Sequence, residues 1–248
     1  MTQHISKETI NRLVKDVKQI MKNPLTENGI YYVHHDSEML QGYAMIIGPE
    51  DTPYFGGYYF FDITYPCDYP HSPPKIKYCT NGGNVRFNPN LYKCGKVCVS
   101  LLNTWRGDQW TSCQTISTVL LTLCTLLCKN PLLNEPGVTS AHNDLQKYNN
   151  IIEHANIKIA VCEIINRKPS VFLDFFEMFY PYIKCNFIIT HKKILEFVQN
   201  KATEFPEKQL ITTNMYGLNH SIDYKSLHEN LVECIHLLVD SEALPFLN

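Results

Sequence analysis

The most reactive side chains in this sequence of 248 residues are its ten cysteines. A thiol attacks an electrophile or binds a metal only as the thiolate, and reactive groups are commonly exposed on loops that a rigid scaffold holds. Cys98 fits this description, because a turn-rich segment precedes it and a Trp-containing segment without helical periodicity follows it. The same position is compatible with an inert thiol, the common state of a cysteine inside cells. Cys98 is therefore a candidate nucleophile.

The spacing of the cysteines favours free thiols over metal ligands. No Cys-x-x-Cys pair occurs, so the pattern of a zinc ribbon is missing. Cys94 and Cys98 lie four residues apart, as do Cys124 and Cys128, but the second pair lies in the most apolar stretch of the chain. The first residues, MTQHISKETINRL, lack the apolar segment of a secretory signal. We therefore expect a reducing compartment, no bound metal, and a cytoplasmic location with a nuclear one left open.

The composition excludes two classes of protein and argues against a third. Charged residues make up 19% of the chain, hydrophobic residues make up 44%, and the net charge is −2. These values exclude a disordered tail and a globally basic nucleic-acid binder. The longest nearly apolar run, residues 116–128, contains Ser and Thr and is shorter than the about 20 apolar residues that span a bilayer. We expect it to form a buried helix and expect neither nucleic acid nor a membrane as a partner.

An amphipathic helix is predicted at residues 6–22, with Ser6 as its N-cap and apolar residues at the helical period. Its outer face combines five basic residues and two acidic ones, namely Lys7, Arg12, Lys15, Lys18 and Lys22 with Glu8 and Asp16. Such a charged face is either solvated or a basic docking surface for an acidic partner, and the pattern leaves both open.

Four segments rich in β-branched and aromatic residues follow this helix, at residues 30–34, 40–47, 58–65 and 75–78. Gly, Pro and Asp bound each of them, which is typical of strands. The short connections between successive strands predict an antiparallel meander. A helix followed by a meander and then by helices indicates an α+β fold.

The remaining chain contains one long irregular segment and several helices. Residues 79–112 hold many turn formers, and an irregular stretch of this length in a compact domain is commonly functional. A helix is predicted at 114–128. The chain then reads as helical to its end, with segments at 145–166, 171–183, 187–202 and 224–240; in the last, Ser226 and Glu229 are placed to form a capping box.

The order and spacing of several motifs resemble the ubiquitin-conjugating enzymes over about residues 5–165. The motifs are a Tyr-Pro pair with Pro73-Pro74 after a strand, Asn88-Pro89-Asn90, Cys98 eight residues after Asn90, and Trp110 before a helix. The commonest form of the family has His-Pro-Asn where Asn88-Pro89-Asn90 stands. Residues 97–105 and 134–137 are similar to a subgroup that also has Asn there, and the C-terminal part is most similar to its Z-type members.

The resemblance implies the fold, the organisation and the activity of the chain. It implies a core domain of the ubiquitin-conjugating type at residues 1–166 and a helical extension at 167–248 that packs on the core. It implies an enzyme that accepts ubiquitin or a ubiquitin-like modifier on Cys98 from an activating enzyme and passes it to a lysine or a ligase. ATP is then used by the activating enzyme, and no cofactor binds directly. The alternative is an inactive binding module with the same fold, but Cys98 and Asn90 both stand at the family's spacing.

The resemblance also assigns roles around the nucleophile. Asn90 is expected to stabilise the oxyanion, to support the loop, or to do both. Asn134 and Glu135 are expected to orient the acceptor lysine, although helix termination is a sufficient reason for their segment. The groove for the ubiquitin tail is expected to be lined by Thr104, Trp105 and Asp108.

One partner surface follows from the resemblance. The residues expected to contact the activating enzyme or a ligase are Lys7, Arg12, Lys15, His71 and Ser112. His71 and the Thr111-Ser112-Cys113 segment stand where many ligase-partnered members have Phe and Ser-Pro-Ala. We therefore expect any ligase to be recognised by an atypical contact mode.

Overall fold

The computed structural model describes residues 5–239 of the chain. An antiparallel sheet lies at its centre, with strands β1 (Ile30–His34), β2 (Gln41–Ile47), β3 (Tyr58–Thr64) and β4 (Lys75–Tyr78) in the spatial order β1-β2-β3-β4. This topology confirms the predicted meander and the α+β class. The first and last predicted strands have the observed bounds, and each begins directly after a turn former, Gly29 or Pro74.

Three helices of the first two thirds of the chain are α1 (Lys7–Lys22), α2 (Ile116–Leu126) and α3 (Leu145–Ala155). Ser6 caps α1 as predicted, since its hydroxyl accepts a hydrogen bond from the backbone N–H of Thr9. A wider π-helical segment, Asn156–Glu163, continues α3. The predicted helices at 6–22, 114–128 and 145–166 therefore all exist.

The outer face of α1 differs from the prediction at one position. Asp16 is only 2% exposed, whereas the charge pattern placed it on the solvated face. Its carboxylate accepts hydrogen bonds from Arg12 Nε at 3.0 Å and from the Tyr69 hydroxyl. A buried carboxylate needs such partners, and the second one comes from a distant turn that helical periodicity does not reveal.

The C-terminal part is not entirely helical, which corrects the prediction. It contains a short 3₁₀ segment (Asp174–Phe179), the long helix α4 (Tyr180–Glu204), a hairpin of β5 (Gln209–Thr212) and β6 (Asn219–Ile222), and α5 (Tyr224–Leu238). Only the end of the predicted segment 171–183 lies in α4, where residues 180–183 join the predicted segment 187–202 because no Gly or Pro interrupts the helix between them.

The last helix begins at a different cap from the one predicted. The carboxylate of Asp223 accepts from the backbone N–H of Ser226, so Asp223 caps α5 and Ser226 lies in its first turn. The last position of the predicted helix 224–240 lies outside the described residues, as do residues 1–4 and 241–248 of the predicted core and extension.

Both faces of the sheet are buried, by different parts of the chain. The strand register places Tyr43 and Phe60 on one face, where they pack against Phe175 and Phe176 of the extension. On the opposite face the Tyr59 hydroxyl donates to Asn156 at 2.6 Å. A sheet that is covered on both faces needs no polar alternation, which explains the nearly continuous burial of β2 and β3.

One hydrophobic core joins the first two thirds of the chain to the described part of the extension. The helix that continues α3 ends just before Arg167, whose backbone is left-handed (φ 50°). The division into a core of residues 1–166 and an extension of residues 167–248 stays a prediction. Within residues 5–239, the helices are too short or too polar to cross a lipid bilayer.

Candidate active site

Cys98 and Asn90 hold each other in place in the irregular segment between β4 and α2. The backbone N–H of Cys98 donates to the Asn90 carbonyl at 2.9 Å, and the Asn90 side-chain Nδ2 donates to the Cys98 carbonyl at 2.6 Å. The two residues are also joined through a narrow β-like turn, in which Leu91 bridges to Asn88 and to Val97. The position of the thiol therefore depends on one side-chain amide.

The thiol itself is shielded in this conformation. Cys98 is 3% exposed, and its Sγ donates to the carbonyl of Thr104 at 2.9 Å. The Thr104 hydroxyl accepts from the backbone N–H of Val99 at 2.9 Å, which folds the following loop over the cysteine. Because a thiolate has no proton to donate, ionisation of Cys98 removes the bond between Sγ and Thr104.

Asn90 makes the loop-supporting contact that was one of its two predicted roles. Its Nδ2 is engaged with Cys98, while its Oδ1 is buried without a partner among the described residues. Asn88 is completely buried: its Oδ1 accepts from the Asn90 N–H at 2.9 Å, and its Nδ2 donates to the Leu126 carbonyl at 2.7 Å. Asn88 thus fastens the nucleophile segment to the end of α2. The oxyanion role of Asn90 stays a prediction.

Asn134 and Glu135 are brought to the edge of the same segment. The Asn134 side-chain Nδ2 lies 3.3 Å from the Leu126 carbonyl and 3.5 Å from Asn88 Oδ1. Glu135 is half-buried and accepts a hydrogen bond from the hydroxyl of Tyr216. Their role in orienting an acceptor lysine stays a prediction. Tyr216 was not singled out in the sequence, because it lies far along the chain in the hairpin that the sequence does not predict.

The predicted groove residues lie on the exposed loop that follows Cys98. Thr104, Trp105 and Asp108 are all exposed, and 41% of the Trp105 surface faces solvent. Trp110 is instead buried, and its Nε1 donates to the Pro70 carbonyl at 2.7 Å. The structure thus separates a packing tryptophan from an exposed one, and binding of the ubiquitin tail by this loop stays a prediction.

The predicted partner residues lie on one side of α1 and on two nearby loops. Lys7 and Lys15 are exposed. Arg12 is less accessible than the charge pattern indicated: its guanidinium donates to the carbonyls of Ser112 and, at 2.6 Å, of Gln114. Arg12 therefore ties α1 to the loop before α2.

His71 is an exposed residue of the loop between β3 and β4. Its side chain is 61% exposed, and its Nε2 lies 3.5 Å from the Glu8 carboxylate on α1. Binding of an activating enzyme or a ligase to the surface formed by Lys7, Arg12, Lys15, His71 and Ser112 stays a prediction.

Among the remaining cysteines, Cys162 and Cys234 are buried against each other, and the Cys234 Sγ donates to the Cys162 carbonyl at 3.9 Å. None of the ten cysteines forms a disulfide, and within residues 5–239 no three His, Cys, Asp or Glu side chains converge on a metal-sized site. Burial raises the pKa of Cys79 to about 11, and burial also raises the pKa values of Cys124 and Cys128. These three thiols are protonated at neutral pH and are therefore poor nucleophiles.

Comparison with known proteins identifies the family to which this fold and site belong. Residues 12–160 match the model of the family described as ubiquitin-conjugating enzyme. The ubiquitin-conjugating enzyme E2 Z of Xenopus tropicalis is 34% identical over 221 residues, which cover 84% of this chain and 70% of that protein. The human E2 Z is 42% identical over 160 residues, covering 63% of this chain and 45% of that protein.

A viral relative covers even more of this chain. A probable ubiquitin-conjugating enzyme of Acanthamoeba polyphaga mimivirus is 31% identical over 250 residues, which cover 95% of this chain and 16% of that protein. The fold and these matches define a transferase of the ubiquitin system. The chain belongs to the ubiquitin-conjugating enzyme family, and within it the chain resembles the Z-type enzymes. It spans between about half and 70% of the length of the Z-type relatives from fish and frog.

Proposed function

We propose that this chain carries ubiquitin or a ubiquitin-like modifier as a thioester on Cys98. The observation that carries the proposal is the pair of hydrogen bonds between Cys98 and Asn90, which fixes the cysteine at the family's spacing from Asn88-Pro89-Asn90. No comparison favours an inactive binding module with the same fold. The modifier comes from an activating enzyme, which consumes the ATP, and this chain binds no cofactor of its own.

The reaction has two steps that use the same sulfur. In the first, the Cys98 thiolate attacks the carbonyl carbon of the activating enzyme's thioester, a tetrahedral oxyanion forms, and the activating enzyme's thiolate leaves. In the second, a lysine amine attacks the new thioester, its nitrogen forms the amide bond, and the bond to Sγ breaks. The proton that the nitrogen loses passes to the departing Cys98 thiolate. In this proposal the Asn90 amide turns away from the Cys98 carbonyl and donates to the oxyanion.

The partners and location are part of the proposal. The exposed α1 residues Lys7 and Lys15 supply positive charge for an acidic partner surface, and Arg12 sets the position of the adjoining loop. His71 and Ser112 supply neither the Phe nor the Pro-Ala anchor, which supports recognition of a ligase by an atypical contact. The lack of disulfides among the ten cysteines is consistent with a reducing compartment, and we place the enzyme in the cytoplasm, with a nuclear location left open.

A charging assay tests the proposal. The protein is incubated with ubiquitin, ATP and an activating enzyme and is then separated on a non-reducing gel. We expect a thiol-sensitive adduct in the unmodified chain, none in Cys98→Ala, and a thiol-resistant adduct in Cys98→Ser. Cys94→Ala is the matched control, because Cys94 is exposed and close in sequence, and it should charge normally.

Two results would count against the proposal. No adduct with activating enzymes of either known class would favour the inactive binding module. A thiol-sensitive adduct that persists in Cys98→Ala would place the thioester on another cysteine.

A further inference from the structure

A turn of the extension lies against the edge of the active-site segment. The turn joins β5 to β6 and contains Met215 and Tyr216, and the backbone of Tyr216 is left-handed (φ 61°). A non-glycine residue in this conformation costs about 1 kcal/mol or more, so the surrounding contacts must hold it there. Tyr216 contacts Glu135, Arg86 and, edge-on at 6.1 Å between ring centroids, Tyr148 of α3. The first two of these residues lie in segments that adjoin the nucleophile.

The first contact of Tyr216 is with Glu135. The phenol hydroxyl donates to Glu135 Oε2. Burial, followed by the hydrogen bond to this carboxylate, raises the pKa of Tyr216, so the phenol keeps its proton at neutral pH. A carboxylate that accepts such a bond has one fixed orientation, whereas a free glutamate on a loop samples several rotamers.

The second contact of Tyr216 is with Arg86. The Arg86 guanidinium lies between the rings of Tyr92 and Tyr216, at 3.9 Å and 4.1 Å from their centroids. Its Nη2 donates to the carbonyl of Pro89, the residue before Asn90. Tyr216 therefore completes a stack that braces the turn from which Asn90 reaches Cys98.

A third bond fixes the turn itself to the core. The backbone N–H of Met215 donates to the buried Asp144 carboxylate at 2.9 Å. Asp144 precedes α3, so the turn is anchored independently of its contacts with Glu135 and Arg86. The backbone that carries the Tyr216 side chain is thus fixed to the core.

We propose that Tyr216 is a positioning residue for transfer to lysine: it holds the Glu135 carboxylate where the acceptor amine enters. The inference rests on the proposed function, because it concerns the second step of that reaction. The acceptor arrives as an ammonium group, which a fixed carboxylate attracts and orients toward the thioester. It releases one proton to solvent, and the neutral amine then attacks. The extension thereby contributes a side chain to the core's reaction. Charging does not use the acceptor and does not depend on Tyr216.

The test separates the two steps in single turnover. The charged protein is isolated, and its discharge is followed with free lysine and, separately, with reduced glutathione, a thiol that needs no carboxylate. In Tyr216→Phe, which keeps the ring on Arg86, we expect normal charging, unchanged discharge to the thiol, and a second-order rate constant for lysine that is about tenfold lower, as for loss of a hydrogen bond to a charged group.

A double-mutant cycle shows whether Tyr216 acts through Glu135. Glu135→Ala combined with Tyr216→Phe should be no slower than Glu135→Ala alone, because Glu135→Ala already removes the carboxylate to which the Tyr216 hydroxyl donates. Tyr182→Phe is the matched control: Tyr182 is an exposed tyrosine of α4, and this variant should discharge to lysine at the normal rate.

Three results would overturn the inference. They are normal lysine discharge in Tyr216→Phe, an equal loss with lysine and glutathione, and additive losses in the cycle. Normal lysine discharge would show that the Tyr216 hydroxyl has no role. An equal loss with both acceptors would show that the hydroxyl only supports the whole active-site segment. Failure of the unmodified chain to charge would instead refute the proposed function, which the first step of the experiment reads out separately.

Discussion

The nucleophile segment and the interface with the extension are held together by different forces. Around Cys98 the chain has little regular structure. The side chains of Asn88, Asn90 and Thr104 form hydrogen bonds with backbone groups there, in place of the backbone hydrogen bonds of a helix or sheet. On the sheet face the extension packs aromatic rings, with Phe60 and Phe176 stacked at 4.3 Å between centroids. The rate of transfer should therefore respond to the loss of single polar atoms, and the free energy of unfolding should respond to the loss of apolar area.

The largest effect on stability is expected at the aromatic interface. Phe176 is completely buried against Phe60, so Phe176→Ala should lower the free energy of unfolding by about 3–5 kcal/mol, as for other buried phenylalanines. Urea denaturation measures the change. Phe175→Ala, at a ring that is 36% exposed, is the control and should cost less. A folded Phe176→Ala protein that no longer charges would contradict the separation of the two regions.

The next effect concerns the rate and comes from the polar region. Asn90→Ala should accept ubiquitin but discharge to lysine about 10²–10³-fold more slowly, the loss found for one oxyanion donor. Single-turnover discharge measures it. Asn230→Ala, at an exposed position of α5, is the control and should discharge normally. Normal discharge of Asn90→Ala would leave Asn90 with a supporting role only.

A smaller effect is expected at the contact between α3 and the hairpin, where two histidines meet. His154 Nδ1 lies 2.9 Å from His220 Nε2, and His154 Nε2 accepts from the Asp223 N–H at 3.1 Å. His154 therefore carries its proton on Nδ1 and donates it to His220. Burial lowers the pKa of His154 to about 3 and, together with the nearby Lys158, that of His220 to about 4.

These pKa values predict the direction of a pH effect on stability. Both histidines are neutral in the folded chain, whereas the unfolded chain gains their protons as the pH falls below about 6.5. The stabilisation is therefore complete above that pH and is lost progressively toward pH 4. His220→Gln keeps an acceptor for His154 and should reduce the loss between pH 8 and pH 5 by about 1–2 kcal/mol.

Urea denaturation at the two pH values measures this difference. His228→Gln, at a partly exposed position of α5, is the control and should keep the pH dependence of the unmodified chain. An unchanged pH dependence in His220→Gln would show that the histidine pair does not link the hairpin to α3 in the neutral form.

The parts of the fold that were predictable have local causes. The strands of the sheet lie within one residue of their predicted bounds, since each is an aromatic or β-branched run between turn formers. The sequence does not predict the hairpin at residues 209–222, because its strands have four residues each and carry few apolar side chains. Its turn is held by Asp144, Glu135 and Arg86, which lie in distant parts of the sequence.

The candidate site also contains a part that the sequence predicts and a part that it does not. Cys98 and Asn90 were found together because their spacing along the chain is short and characteristic of the family. Tyr216 and the burial of Asp16 were missed because both depend on contacts between segments that are remote in sequence. Local pattern thus reveals the nucleophile, and only the folded chain reveals what surrounds it.

The central claim is that Cys98 carries the modifier, and mapping the thioester by mass spectrometry tests it most directly. Cleavage after Lys and Arg releases residues 97–106, a peptide whose only cysteine is Cys98, and separates it from Cys94. After charging and digestion without reductant, we predict that the remnant of the modifier's C-terminus is found on this peptide and disappears on treatment with thiol. A thiol-labile remnant on any other cysteine, with residues 97–106 unmodified, would contradict the account.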